Sequence, residues 1–167
     1  MSWSSPAVLI GLTVFLQPTV VQYVSLGGSR SDLCLIMALY MGLFRAQGGN
    51  YGVIVGLLQD LSGGGILGLN TLSKGLLGLL GEVIQRQLLI LSYPALMLLF
   101  FLATLFEGAL FLLLTRYLLA LGFPKEVFLE SLLFQTLINA VLGPLIVLLL
   151  NRLTGEKERM RGRRSVL

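Results

Sequence analysis

The stretch PALMLLFFLATLFEGALFLLL, from Pro94 to Leu114, carries one charged side chain, Glu107. A run this long and apolar fits a bilayer, whose hydrocarbon core takes roughly 20 helical residues. Proline opens it, as suits a first helical turn where its missing N–H is not needed. The wider region from Leu88 to Leu121 exceeds one upright helix yet is too short for two with a loop. It therefore predicts an interfacial piece up to Ser92, then one long tilted helix from near Pro94, ended by Gly122, Phe123 and Pro124.

Apolar runs continue on both sides. Val127 to Leu150 reads as a last span kinked at Pro144, and Ile66 to Val83 as an earlier one, followed by a polar stretch of Glu82, Gln85, Arg86 and Gln87. Ala7 to Leu26 reads as a first span interrupted by Pro18 and ended by the turn from Gly27 to Asp32. It lacks a positive leading region and a small-residue cleavage pattern, so it reads as a retained span. Between these lie Leu33 to Phe44 and Gly48 to Leu58, each shorter than an upright span and separated by Arg45 and Gln47. Two short or tilted helices joined by a tight turn give six spans; one longer element with a polar break gives five. Gly63, Gly64 and Gly65 form a flexible connection.

With a mean hydropathy of +0.89, the 167 residues predict an all-α polytopic membrane helix bundle of six, or five, transmembrane helices. Residues 1–151 form the membrane domain and residues 152–167 a basic tail. From Arg152 onward there are six basic and two acidic residues, while the remainder carries six of each. Lys and Arg collect on the cytoplasmic side, so the tail places the C-terminus inside, where it also meets anionic lipid. Six spans then put both termini inside, with Arg45 and Arg86 in inner loops. Arg30 and Lys125 fall in outer loops, each accompanied by an acid, Asp32 and Glu126. No aromatic residue interleaves the tail, and membrane topology accounts for its charge, so no nucleic-acid partner is expected. Alternating Glu and Arg from Glu156 to Arg161 can extend the last helix.

The chemistry available is narrow. There is one cysteine, Cys34, and no histidine, so an intramolecular disulfide is excluded and thiol metal sites and general-base catalysis lose their usual residues. No phosphate-binding loop or nucleotide fingerprint is present. We expect no catalytic residue, metal or cofactor. Twelve glycines lie between Gly42 and Gly81. Gly48, Gly52 and Gly56 are spaced by four and share a helix face, which suits either close packing within the chain or a partner helix; Gly75, Gly78 and Gly81 form a less regular strip. Asp60, Ser62 and Gly68 are placed to shape the turn between two spans, the carboxylate accepting backbone N–H bonds. Lys74 and Glu107 each fall well inside an apolar run, where an unpaired charge is expensive. They predict a buried pair, with Asp60 as the alternative partner of Lys74. An ion path is the sharper reading of such charges; closed internal pairs, or side chains reaching the interface, account for them equally.

The segment Asp32-Leu-Cys-Leu-Ile-Met-Ala-Leu-Tyr40, then Arg45, then Gly56 to Asp60 with Ser62-Gly-Gly-Gly-Ile-Leu-Gly68, resembles the MreD family of bacterial rod-shape-determining membrane proteins. The likeness is strongest from Ser31 to Gly81. It implies a non-enzymatic inner-membrane component of the cell-elongation machinery, associating with MreC and through it with MreB, RodA and a class B penicillin-binding protein in support of peptidoglycan synthesis. It also implies the fold of the substrate-binding subunits of energy-coupling-factor vitamin transporters, which supplies the rival expectation: a membrane subunit enclosing a small molecule between helix ends.

Overall fold

The computed structural model describes residues 5–23, 25–26, 29–45, 47–63, 66–87, 92–118 and 125–154. Among them are six α-helices: α1 (Pro6–Tyr23), α2 (Leu33–Phe44), α3 (Gly48–Gly63), α4 (Leu69–Gln87), α5 (Tyr93–Leu113) and α6 (Lys125–Thr154). Two dipeptides after α1, Ser25–Leu26 and Ser29–Arg30, pair antiparallel with Ser25 opposite Arg30.

The helix α2 decides the architecture. Its apolar residues have no preferred face, and a helix that is apolar all round belongs in the interior. The ten residues from Cys34 to Leu43 are all buried, and α2 packs against α1, α3, α4 and α6. At 1.5 Å per residue, its 12 residues reach about 18 Å and the 16 of α3 about 24 Å, both short of a hydrocarbon core of about 30 Å. Among the described residues, length and composition suited to crossing a membrane are met by two helical stretches, Tyr93–Arg116 and Phe128–Thr154. These form an outer α5–α6 pair, while α2, α3 and α4 make a tighter trio. Exposed Leu and Phe side chains cover α5 and α6, among them Leu98, Leu102, Leu133 and Leu137.

The stretch around Arg45 and Gln47 is a tight turn between two separate helices. Arg45 closes α2 with its N–H on the Met41 carbonyl at 2.9 Å, and Gln47 takes a positive φ of 66°, a left-handed conformation that turns the chain sharply. Several sequence boundaries shift. The fourth helix starts at Leu69 rather than Ile66 and absorbs the polar stretch to Gln87, because Glu82 and Arg86 pair across one turn at 2.7 Å. The last helix extends to Lys125 and Thr154, where the Thr154 hydroxyl returns to the Leu150 carbonyl at 2.8 Å. Helices α1 and α6 continue through Pro18 and Pro144. The expected glycine connection at Gly64 and Gly65, the interfacial piece before Ser92, the stop at Gly122 to Pro124 and the tail from Gly155 lie outside the described residues.

Candidate functional site

Lys74 is completely buried, on the face of α4 turned toward α2 and α5. Its ammonium has three protons to donate, and three acceptors meet it. Nζ lies 2.7 Å from Asp32 Oδ2 and 3.0 Å from Asn70 Oδ1, and it also donates to the Glu107 carboxylate. A lone charge at this depth costs several kcal/mol, which only close partners offset.

Each carboxylate is fixed by further groups. Asp32 is the N-cap of α2, with Oδ1 accepting the Leu35 N–H at 3.0 Å. Glu107 accepts the Ser73 hydroxyl at 3.1 Å. Asn139, buried on α6, continues the network: its Oδ1 accepts from Ser31 Oγ at 3.1 Å and from the Asp32 N–H at 3.2 Å, and its Nδ2 donates to Thr104 at 3.2 Å. Side chains of α2, α4, α5 and α6 therefore meet in one polar cluster. Gln17 of α1 adds a contact at its edge, accepting the Leu33 N–H at 2.9 Å.

Asp60, buried near the end of α3, holds the start of α4. Its carboxylate accepts backbone N–H bonds from Gly68 (2.9 Å), Asn70 (3.2 Å) and Thr71 (3.0 Å). Side-chain donors Asn70 Nδ2 at 2.9 Å and Thr71 Oγ1 at 2.7 Å complete the set. A helix N-terminus leaves its first N–H groups without partners and favours negative charge; here the preceding helix supplies the acid. Gly68, with φ of +97°, makes the left-handed bend that aims these N–H groups back at Asp60. Ser62 donates to the Leu58 carbonyl at 2.7 Å within α3.

Gly48, Gly52 and Gly56 are buried against α4. A Cβ at Gly52 would collide with the Lys74 carbonyl, one at Gly56 with the Asn70 carbonyl, and one at Gly48 would lie 2.7 Å from the Gly78 carbonyl. From the other side, a Cβ at Gly78 would collide with the Gly48 carbonyl, and one at Gly81 would come within 3.0 Å of the Gly42 Cα. The glycine face is thus filled from within the chain, by backbone meeting backbone.

Beside the ion cluster is a cavity of about 200 Å³, between α4, α5 and α6. Asp32, Asn70, Ser73 and Glu107 line one part, and Phe111 and Phe128 another. These two rings stack with centroids 5.6 Å apart. Among the described residues no three of His, Cys, Asp and Glu gather to hold a metal.

The family model described as rod shape-determining protein MreD matches residues 1–153. The chain belongs to the MreD family. No curated protein and no solved structure matches it. Family membership makes it a rod-shape-determining protein, and its two long apolar helices have membrane-spanning character. The ion cluster brings together Lys74 and Glu107, both singled out in the sequence, while the acid expected beside Arg30, Asp32, instead turns inward and takes the place offered to Asp60. Asp32 and Asn139 join the cluster although neither stands out in the sequence as a partner of Lys74. Their signals were an acid just ahead of an apolar helix, which marks an N-cap, and an amide inside an otherwise apolar run.

Proposed function

We propose that this MreD-family chain is a non-enzymatic scaffold of the elongation machinery in the bacterial inner membrane, binding MreC and linked through it to MreB, RodA and a class B penicillin-binding protein. A multi-pass topology with both termini cytoplasmic accompanies this reading, with α2 and α3 as short elements within the bundle. The observation that carries it is the family match across residues 1–153. Its mechanism is assembly: a bundle locked by internal glycine contacts and a buried ion cluster holds a fixed apolar exterior against a partner's transmembrane helix. Association in lipid relies on such van der Waals fit, since hydrophobicity provides little drive there.

The packing bears on where the partner sits. Gly48, Gly52 and Gly56 face α4, so under this reading they serve the partner indirectly, by fixing the α3–α4 pair. Direct contact falls to exposed positions such as Val53, Ile54 and Leu57 on α3 or Leu79 and Val83 on α4. Affinity purification of the tagged chain from its native membrane in mild detergent, with mass spectrometry of what co-purifies, is the test. Recovery of MreC with cell-wall synthesis proteins supports the scaffold. Recovery of an ATPase and coupling subunits instead would move the protein to vitamin transport.

A further inference from the structure

The cavity beside Lys74 is electrostatically one-sided. Both acids of the ion cluster, Asp32 and Glu107, line it, and among the described residues no Lys or Arg does. Lys74 stands behind them, all three of its protons directed to Asp32, Asn70 and Glu107. Two carboxylates share one ammonium, so Lys74 alone does not give each acid its own counter-charge. On the cavity side Glu107 Oε1 receives Lys74 and Ser73, while Oε2 has no hydrogen bond among the described residues.

The opposite wall is apolar and aromatic. Phe111 and Phe128 stack there, with Leu110 and Leu132 beside them, and aromatic faces attract cations as well as apolar groups. The Gln135 side chain also lines the cavity and makes no hydrogen bond among the described residues. At the end of this wall α5 passes into a π-helical turn, Leu114–Leu118, whose first residue lines the cavity. Such turns cost helix geometry and occur frequently at functional sites. The volume of about 200 Å³ is below the roughly 300 Å³ where drug-sized pockets begin, so the guest is small.

We propose that this cavity is a binding site for a small amphiphilic organic cation, its ammonium against Glu107 and its apolar body against the wall formed by Phe111 and Phe128. The guest supplies a second counter-charge beside the two acids and fills the apolar volume. An anionic guest would meet two carboxylates, and a neutral one would bring no counter-charge to them. The site stands independently of the scaffold reading, because neither its acids nor its rings lie on the glycine face or among the exposed positions assigned to a partner.

The test uses the full chain in nanodiscs with phenethylammonium as probe, and phenethyl alcohol and 3-phenylpropanoate as neutral and anionic counterparts. Saturable binding by saturation-transfer NMR is expected for the cation alone. Glu107→Gln leaves Lys74 paired with Asp32 and should weaken binding by about tenfold or more, the scale of losing one buried charge partner. Gln135→Phe, which blocks the cavity without touching the ion cluster, should also abolish it and serves if the first variant does not fold. A diazirine analogue of the probe should label Leu110, Phe111, Phe128 or Leu132. Equal binding of all three probes, no saturable binding, binding undiminished in the folded variants, or labelling confined to other surfaces would each overturn the proposal. None of these results depends on whether MreC co-purifies.

Discussion

Asp32 and Lys74, 42 residues apart in sequence, meet at 2.7 Å in the interior. The contact pins the N-cap of the central helix to the second turn of α4. Because Asp32 also caps α2 through the Leu35 N–H, one carboxylate joins local helix initiation to tertiary packing.

Replacing Lys74 by Met should therefore destabilise strongly. It removes the one cation and leaves Asp32 and Glu107 buried without it, a loss of about 3–5 kcal/mol when one member of a buried pair is deleted. Adding Asp32→Asn and Glu107→Gln to Lys74→Met should recover much of that loss. Thermal unfolding of the purified variants in one detergent gives both comparisons; a triple variant no more stable than Lys74→Met would refute the electrostatic account.

Asp60→Ala should loosen the α3–α4 junction. Five donors on Gly68, Asn70 and Thr71 lose their acceptor; Gly68 is exposed and Asn70 and Thr71 are half-buried, so water takes up part of the bonding and the loss is about 1.5–3 kcal/mol, the scale of a hydrogen bond to a charged group. Hydrogen exchange should rise first at Leu69 to Ser73. Asp60→Asn should fall between wild type and Ala, since one amide oxygen still accepts. Unchanged exchange in the Ala variant would show that these N–H groups find other partners.

Gly52→Leu should prevent the folded state from forming, because its Cβ alone would collide with the Lys74 carbonyl. Gly11→Ala in α1 has nothing within 4 Å of the added atom and should be neutral or slightly stabilising, as Ala exceeds Gly in helices by about 0.5–1 kcal/mol. Size-exclusion profiles and melting temperatures separate the two. A well-folded Gly52→Leu variant that nonetheless fails to bind MreC would return the glycine face to the partner.

Cys34 is fully buried in α2. Its thiol should react with a membrane-permeant maleimide only as the bundle opens, since reactivity needs access. Labelling should be slow in the intact protein, fast in denaturant, and accelerated in Lys74→Met. Rapid labelling of the native protein would show that α2 is more accessible than this packing allows.

Much of the fold follows from local composition. The apolar run around Glu107 is long enough to cross a bilayer whatever surrounds it, and the polar break at Arg45 and Gln47 ends one helix and begins the next. The density of glycine from Gly42 to Gly81 requires close backbone approach, but spacing by four looks the same whether the neighbour belongs to this chain or to a partner. Only the tertiary structure brings α4 onto that face. Likewise, two charges in apolar runs imply a buried partner for each, because isolated charges are not tolerated at depth. Sequence position alone leaves Asp32 and Asp60 both available to Lys74. The fold separates them: Asp60 sits beside the start of α4 and is occupied by its N–H groups, while Asp32 enters the core at the head of α2. Composition thus determined a membrane helix bundle with internal charge, since hydropathy and helix length act locally. The tertiary structure decided which charges meet and which faces are filled, since pairing depends on which helices become neighbours.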